Sequence, residues 1–598
     1  MRRAAEPPGL LALPGRDTAE AAAYRARAHR LGLSFVSHPR FDSTAAPGPD
    51  DDIETGTSAR NKAGDLIIAP GEEAMANVAA WLRRNGALRH RVSVSTPTAI
   101  RAGLRAAIAA GVLAEARTRV ERIGRHFSAA RTFEPRQVAA LLAGLAVLGA
   151  AFLLHPVLAA TLLWLLLAAF FVIVSFIRWV AALDIGARRR RRLPPPGPDT
   201  ALPVYTVLVP LRHEAGMIRQ IVAGLDRLAW PRDRLDVKLV IDADDTDTLA
   251  VARAHAAEAP YEVVEVPAGG PRTKPMALQY ALAFARGRFV TVYDAEDRPH
   301  PGQLAEAYRT FAAAPASLAC LQAPLVVDNE DDGWLASLFA IEYAALFDGL
   351  LPALADRGLP LPLGGTSNHF RRDALERVGG WDPHNVTEDA DLGIRLARFG
   401  YGVGTITLPT REEAPVGLRT WLRQRTRWMK GWMQTWLVHM RHPAILWRTV
   451  GAGRFLGFNA LGLGMIVSAL AHPVFILTPL WILLDPASPW RGGGLLPSLF
   501  AGLTLFNLAF GYAAMWALST RALAARGRHG LVPLVALLPA YWLLVGLATA
   551  LAGIELLRAP HRWNKTPHTA TRPVVTAAPA RPAAAPPAAR PATRVRAG

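Results

Sequence analysis

The chain has 598 residues, enough for three or four domains, and its 67 Lys and Arg against 48 Asp and Glu give a formal net charge of +19. The one cysteine, Cys320, excludes an intrachain disulfide and a cysteine-based metal site. The positive charge lies mainly beside long apolar runs, and no zinc-finger or RNP motif is present, so we expect a membrane protein that binds no nucleic acid.

The N-terminal part reads as a flexible start followed by a small domain. Residues 1–17 contain Glu6 and three prolines and lack the long apolar core of a signal peptide, so we predict a flexible N-terminus. Residues 18–125 combine short strands, near 65–69 and 92–95, with amphipathic helices over 72–84 and 98–114. This pattern predicts a small α/β domain.

Two apolar segments follow, 138–154 and 157–180, and each is close to the ~20 residues that cross a ~30 Å hydrocarbon core. They predict a transmembrane hairpin over 137–182. The next segment, 183–200, is a basic and proline-rich linker that holds five consecutive arginines, 188–192. Because positive flanks stay in the cytoplasm, the hairpin should leave the domains on both of its sides cytoplasmic.

Residues 201–436 form a polar block that begins with alternating strands and helices. Strands are predicted at 204–209, 237–241, 261–266 and 289–293, with helices between them. This βαβαβ order favours a mostly parallel sheet, in which ligands bind beyond the carboxyl ends of the strands.

The C-terminal part is predicted to return to the membrane. We expect an interfacial helix over 437–454, a transmembrane region over 455–554 and a disordered Ala/Pro-rich tail over 566–598. Basic clusters precede and follow the last apolar segment, and both look cytoplasmic although one segment separates them. Either 455–484 is a hairpin broken at Pro473 or one cluster lies outside, which gives five or six crossings of the membrane.

Carboxylates follow two of the predicted strands. The acidic turn that contains Asp244 and Asp245 could accept hydrogen bonds from a base or ribose, although aspartates are also ordinary turn and cap residues. Asp294 and Glu296 lie two positions apart after the next strand but one. Such a pair can share Mg²⁺ or Mn²⁺ with a diphosphate; the alternative is a solvated acidic loop.

Two later motifs carry further candidate chemistry. Glu388 and Asp389 precede a helix, where a carboxylate is either an N-cap or a general base for a sugar hydroxyl. Gln424, Arg427 and Trp428 lie in a basic, aromatic helix, which is either a membrane-surface helix or a site for diphosphate and sugar.

Taken in order, these residues resemble the D, DxD, TED and QxxRW motifs of the processive branch of glycosyltransferase family 2, which includes cellulose, chitin and hyaluronan synthases. The resemblance covers about residues 137–565. It implies a Rossmann-like α/β GT-A domain in the cytoplasm, embedded between transmembrane helices. It also implies a UDP-sugar donor, Mg²⁺ or Mn²⁺, a growing polysaccharide as acceptor and inversion at the anomeric carbon.

The resemblance also implies roles for individual residues. Asp389 would be the catalytic base; the donor would be bound by Asp244, Asp245, Lys274, Asp294 and Arg427; the acceptor by Gln424, Trp428 and Glu388; and the metal by Asp294 and Glu296. Glu296 replaces the aspartate that many relatives have. Segment 364–370 resembles the loop that lines the acceptor pocket.

Further likenesses concern regulation and context. Segments 294–301 and 563–568 resemble a bacterial subgroup tied to exopolysaccharide and biofilm synthesis. The N-terminal unit resembles that of type II secretion ATPases, some relatives of which bind cyclic di-GMP, so this nucleotide is a candidate ligand. The alternatives are a non-processive transferase acting on a polyprenyl-phosphate carrier and a non-catalytic assembly or secretion component. A motor is disfavoured because 269–274 lacks the spacing of a phosphate-binding loop.

Overall fold

The computed structural model describes residues 19–41, 58–61, 63–188, 202–255, 260–485 and 494–562. The predicted flexible N-terminus, most of the basic linker, segment 563–568 and the predicted tail lie outside these residues.

The helices of the described chain are α1 (Ala19–Leu31), α2 (Met75–Arg84), α3 (Pro97–Ile123), α4 (Pro135–Leu154), α5 (Pro156–Arg188), α6 (Ile218–Leu225), α7 (Thr246–His255), α8 (Lys274–Leu282), α9 (Gln303–Ala313), α10 (Trp334–Ala344), α11 (Leu351–Asp356), α12 (Arg372–Arg377), α13 (Glu388–Arg398), α14 (Leu418–His439), α15 (Pro443–Val450), α16 (Ala452–Leu484), α17 (Leu495–Arg526) and α18 (Leu538–Arg558). The strands are β1 (Ser34–Phe35), β2 (Ser58–Arg60), β3 (Leu66–Ile68), β4 (Val92–Val94), β5 (Tyr205–Leu211), β6 (Leu235–Asp242), β7 (Tyr261–Val266), β8 (Phe289–Val292), β9 (Arg298–Pro299), β10 (Leu318–Gln322), β11 (Leu325–Val327), β12 (Asn368–Arg371), β13 (Gly402–Thr405) and β14 (Thr410–Glu412).

The N-terminal unit is a four-stranded sheet in the order β1-β4-β3-β2, packed against α1 and α2. Helix α3 begins beside it, where the Thr96 hydroxyl caps the helix by accepting the Ala99 N–H at 3.0 Å. Helix α3 is 27 residues long and also packs against α8, and its Arg105 forms an ion pair with Glu262 of β7. The N-terminal unit is therefore attached to the next sheet through α3.

The central sheet has seven strands in the order β13-β10-β12-β8-β5-β6-β7. Among these strands β12 pairs antiparallel with both of its neighbours, and the other pairings are parallel. Strands β5 and β6 are buried on both faces, as expected for the centre of a parallel sheet, and β6 pairs its buried Lys238 with Asp236. The predicted α/β sheet domain is thus present, with one reversed strand. A second small sheet, β11-β14-β9, adjoins it.

Within the described residues, six segments are long and apolar enough to cross a membrane, which indicates a membrane protein. They are Pro135–Leu154, Pro156–Ile185, Trp334–Asp356, Ala452–Leu477, Ser498–Arg526 and His529–Arg558. Helix α4 has no buried residue, and its apolar side chains are exposed, with Leu153 87% exposed, as suits a helix in lipid. Segment Trp334–Asp356 differs because it is mostly buried inside the protein. Sequence reading had placed it within the polar block and missed its apolar character.

Helix α16 corrects one of the two predicted topologies. It continues from Ala452 to Leu484 through Pro473, so the hairpin broken at that proline is wrong. The interfacial helix predicted over 437–454 corresponds in the structure to the end of α14 and to α15, Pro443–Val450.

Helix α18 explains the basic clusters that flank the last apolar segment. Near its start, the Tyr541 hydroxyl accepts hydrogen bonds from Trp421 Nε1 at 3.1 Å and Arg425 Nη2 at 3.0 Å, both on α14. Near its end, Glu555 binds Lys430 of α14 at 3.1 Å. Helix α14 is too highly charged to cross a membrane, so we expect α18, which packs along it, to keep both of its ends on one side. Both basic clusters can then face the same compartment.

Candidate active site

The carboxyl ends of β5, β6 and β8 meet at one edge of the central sheet and present polar side chains. Arg212 follows β5, Asp242 ends β6, and Asp294 lies just beyond β8. Arg212 and Asp242 form an ion pair. A cavity of 410 Å³ begins at this edge and continues between α5, α16, α17 and α18. Ligands of parallel sheets bind at such an edge, so this cavity is the candidate active site.

Lys274 joins the acidic loop after β8 to the opposite wall of the cavity. As the first residue of α8, it places Nζ 2.5 Å from Asp294 Oδ1 and donates a hydrogen bond to the Gly365 carbonyl at 2.6 Å. Burial disfavours the charged amine, but the carboxylates of Asp294 and Glu388 more than offset this and raise the pKa of Lys274. The lysine therefore stays charged where a donor diphosphate would lie.

Asp297 fixes the acidic loop after β8 through hydrogen bonds. Its Oδ2 accepts the Asp294 N–H at 2.7 Å and the hydroxyl of Thr366. Burial, followed by the nearby charges of Asp294 and Glu296, raises the pKa of Asp297 well above its ordinary value. Asp297 thus positions Asp294 rather than facing the cavity itself.

We expect Asp297→Ala to weaken nucleotide-sugar binding and to lower the melting temperature, because the Asp294 N–H and the Thr366 hydroxyl lose their acceptor. Each buried group left unpaired costs about 1–3 kcal/mol. Asp297→Asn should be milder, since an amide oxygen can still accept the Asp294 N–H. Calorimetry with the donor and a melting curve would measure both effects. Equal losses in the two variants would contradict the positioning role.

The acidic motif at the start of α13 lies on the same wall as Lys274. A Cβ atom added to Gly365 would lie 3.4 Å from Asp389 Oδ2 and 3.7 Å from Lys274 Nζ, so these groups are close neighbours. Asp389 Oδ1 accepts the Ala390 N–H at 2.8 Å. Burial raises the pKa of Asp389, and burial together with the Asp389 charge raises the pKa of Glu388 to about 8. A carboxyl shifted in this way suits a proton acceptor.

Helix α14 places its three predicted residues, Gln424, Arg427 and Trp428, on the cavity wall. Burial lowers the pKa of Arg427, while the carboxylates of Glu388 and Asp294 oppose that shift, so the guanidinium faces the acidic cluster. The Trp428 ring lies 4.7 Å from the guanidinium carbon of Arg425. Helix α14 is therefore amphipathic, as a membrane-surface helix would be, and it also contributes residues to the cavity wall.

Arg425, the neighbour of these residues, braces the helix. Its Nη1 and Nη2 bind the two carboxylate oxygens of Glu342, on α10, at 2.8 and 2.6 Å. Such a paired contact fixes both position and orientation.

Asp244 and Asp245, predicted to bind the donor, lie away from the cavity wall. Asp244 forms an ion pair with Arg272, and Asp245 accepts the His213 N–H at 2.5 Å and the Thr248 N–H at 3.3 Å. Of the described residues in this turn, Asp242 is the acid that lines the cavity. The structure therefore gives Asp245 the capping role that was the alternative, and its donor role stays a prediction.

Sequence reasoning missed several residues of the site. Arg212 and Glu214 follow β5 and line the cavity, and their position after a predicted strand could have drawn attention to them. Glu412 lies on β14, a strand that the sequence pattern did not show. Burial, with the charges of Glu296 and Asp294, raises the pKa of Glu412 to about 8. Glu412 thus adds a carboxyl next to Asp294 and Glu296 of the acidic loop.

The acidic loop suits a hard divalent cation. Asp294 and Glu296 both line the cavity and supply the oxygen ligands that Mg²⁺ and Mn²⁺ prefer. Within the described ranges, no group of three or more Asp, Glu, His or Cys side chains is placed to hold a metal. Mg²⁺ is commonly bound by one or two carboxylates together with substrate phosphates. The residues present therefore fit an ion shared with a diphosphate.

Comparisons with known proteins address the same part of the chain. Residues 289–548 match the family model described as Glycosyl transferase family group 2. Over 242 residues the chain is 31% identical to the beta-monoglucosyldiacylglycerol synthase of Synechocystis, covering 40% of this chain and 50% of that protein. Over 327 residues it is 25% identical to the UDP-forming cellulose synthase 1 catalytic subunit of Komagataeibacter xylinus, covering 53% and 41%.

Among solved structures, the chain is similar to the mannosyltransferase PcManGT from Pyrobaculum calidifontis in complex with GDP-Man and Mn²⁺. The TM-score is 0.38 at 20% identity, covering 65% of this chain and 99% of that one.

The chain spans about half the length of the curated relatives it matches. The family match covers β8 to α18, so the predicted glycosyltransferase is confirmed at the level of this domain. The N-terminal unit lies outside the match. Its likeness to secretion ATPases, and the likeness to a biofilm subgroup, stay predictions.

Proposed function

We propose that the protein is an inverting glycosyltransferase that moves a sugar from a UDP-sugar to a growing polysaccharide, as in exopolysaccharide or biofilm synthesis. It would be a multi-pass protein of a bacterial inner membrane with its catalytic domain in the cytoplasm. The observation that carries the proposal is the shared wall of Lys274, Asp294 and Asp389 at the mouth of a cavity that continues between apolar helices.

The site suits a direct displacement. Asp389 takes the proton of the acceptor hydroxyl, whose oxygen then forms a bond to the anomeric carbon while the bond from that carbon to the phosphate oxygen breaks. Lys274 and Arg427 stabilise the negative charge that develops on the departing nucleotide. Asp294 and Glu296 would hold Mg²⁺ or Mn²⁺, which when bound neutralises diphosphate charge. Gln424 and Trp428 hold the end of the acceptor.

The cavity supports a long acceptor. It extends from the acidic cluster to residues of four apolar helices, which gives a polymer a path away from the catalytic residues. The similarity to a cellulose synthase subunit agrees with a polysaccharide product and with a UDP-linked donor.

A lipid acceptor is the second candidate. The part of the cavity that lies between α5, α16, α17 and α18 is lined by many aliphatic side chains, including Leu461, Met465 and Leu518. Such walls suit a hydrocarbon chain. The similarity to a beta-monoglucosyldiacylglycerol synthase agrees with this alternative.

The test is incubation of the purified, detergent-solubilised protein with Mg²⁺ or Mn²⁺ and a panel of UDP- and GDP-sugars, measuring nucleotide release and product size. Release from one UDP-sugar with long products supports the proposal. A single sugar added to lipid supports the second candidate. Asp389→Asn protein is the control, because release that persists in this variant cannot come from the proposed site. Absence of release from every donor, with and without cyclic di-GMP, would overturn both.

From the resemblance of the N-terminal unit, we propose cyclic di-GMP as its ligand. Helix α3 connects this unit to α8, which begins at Lys274, so binding could affect the active site. Calorimetric titration of the whole protein with cyclic di-GMP tests this. No heat of binding would remove the nucleotide from the proposal.

The pH dependence of transfer should report Asp389. Because burial raises the pKa of this carboxyl, it stays protonated to a higher pH than an ordinary aspartate, whose pKa is about 3.9. A base must be unprotonated, so kcat/KM should fall as the pH falls through the raised pKa. A pH profile of kcat/KM measures this. An acid limb at ordinary aspartate values would contradict the assignment.

A further inference from the structure

The part of the cavity that lies between the apolar helices is walled by one face of each of four helices. The lining residues recur at helical spacing: Phe171 and Arg178 on α5; Leu461, Met465, Ser468 and His472 on α16; Met515 and Leu518 on α17; Trp542 and Val545 on α18. At 1.5 Å per residue, the stripe on α16 extends about 16 Å along the helix. Most of these side chains are apolar, and three polar ones lie among them.

Arg178 is the charged residue of this group. It lies within the apolar segment Pro156–Ile185, and its guanidinium carbon is 5.0 Å from the centre of the Trp542 ring. No carboxylate of the described chain lies within ion-pairing distance of it. Glu342, the acid that the apolar helices bring to the wall, is bound to Arg425 and Tyr541 instead. An ionised side chain at such a place marks a ligand site more often than a structural one.

His472 and Ser468 lie one turn apart on α16. His472 is 2% exposed, and its Nε2 donates to the Pro539 carbonyl at 3.1 Å, which leaves Nδ1 as an acceptor. Ser468 is 9% exposed. Neither Nδ1 nor the serine hydroxyl has a hydrogen-bond partner in the part of the chain that the structure describes. Buried polar atoms are normally paired; other residues of these helices, such as Ser175, also lack a partner, but His472 and Ser468 line the cavity, where a ligand can supply one.

We propose that Arg178, His472 and Ser468 form an oxyanion subsite that holds a carboxylate or phosphate carried by the acceptor. The guanidinium can bind two oxygens of such a group at once. The Ser468 hydroxyl donates a hydrogen bond to an oxygen of the carboxylate or phosphate. His472 Nδ1 accepts a hydrogen bond from a hydroxyl that lies on or next to that anionic group. The inference rests on the proposed function, because it places the acceptor in this cavity. It makes the acceptor an anionic molecule rather than a neutral one.

Two sources supply this chemistry, an acidic sugar and a lipid phosphate, and matched probes separate them. Binding to the detergent-solubilised protein is measured for a glucuronate tetramer against a glucose tetramer, and for farnesyl phosphate against farnesol. We expect the charged member of one pair to bind at least about tenfold more tightly than its neutral counterpart, which is typical of a charge-assisted contact. The pair that shows the preference identifies the source.

Variants place the preference at the subsite. Arg178→Gln should abolish it, and Arg178→Lys should keep part of it because the charge remains. Arg521→Gln is the matched control: Arg521 lies on α17, donates to the Ala182 carbonyl at 3.1 Å and does not line the cavity. Equal binding of charged and neutral probes by the wild-type protein would overturn the proposal even if no variant could be purified. A preference that survives in Arg178→Gln would overturn it as well.

Nucleotide-sugar binding and nucleotide release are measured on the same proteins. A charge preference that depends on Arg178 in a protein that releases no nucleotide would support the subsite and reject the proposed transfer. Transfer to neutral acceptors without any charge preference would support the proposed transfer and reject the subsite.

Discussion

Asp389→Asn should lower kcat by about 10²–10⁴-fold, the usual contribution of general base catalysis, and should leave nucleotide-sugar affinity nearly unchanged. Asparagine has the shape of aspartate and can still accept the Ala390 N–H, so α13 keeps its start. It cannot take a proton from the acceptor. Single-turnover transfer and donor titration would measure the two quantities separately.

The control for this variant is Asp373→Asn, the same chemical change on an exposed residue of α12. It should transfer sugar at the wild-type rate. Normal turnover by Asp389→Asn would show that the base lies elsewhere. Loss of donor binding in that variant would instead move Asp389 into the nucleotide site.

Gly431→Ala is expected to separate α14 from α13 and to lower activity by at least about tenfold, because a misplaced catalytic group costs that much or more. An added Cβ would lie 2.7 Å from Thr387 Cβ and closer still to its Oγ1 and Cγ2. Thr387 is buried beside Glu388, so the strain passes to the acidic motif. Overpacking of this kind also costs about 1–3 kcal/mol of stability. Melting curves and transfer assays would measure both effects.

The matched control is Gly553→Ala on α18, where an added Cβ meets nothing within 4 Å. It should leave activity unchanged. Adding Thr387→Ala to the Gly431 variant should restore part of the activity, since two of the three overlapping atoms are removed. Wild-type stability and activity in Gly431→Ala would contradict the close packing of the two helices.

Much of the fold could be read from the sequence because local patterns determine it. Strands β5 and β8 are short, mostly apolar runs, β6 contains the apolar stretch 239–241, and the parallel order brings the residues after them to one edge. The resemblance assigns the motif residues of α13 and α14, and the structure brings them to that edge although Asp389 and Gln424 are 35 positions apart in the chain.

Other parts of the site depend on contacts that no local pattern shows. Asp242 and Asp245 are both acids in one turn, and only the direction of the chain after β6 decides which faces the cavity. Glu412 lies on a three-residue strand that pairs with β11, far away in sequence. Arg178 lies near the end of an apolar segment, and only its neighbours on α16 and α18 mark it as a candidate site residue.

Helix α18 also bears on how the polypeptide is threaded through the bilayer. If α18, which packs along α14, and the buried segment Trp334–Asp356 do not cross, the crossing helices of the described chain are α4, α5, α16 and α17, fewer than the five or six crossings expected from the sequence. An even number of passages returns the chain to the compartment it left. A fluorescent protein joined before α4 and one joined after Arg562 should therefore be quenched, or protected, together in sealed vesicles.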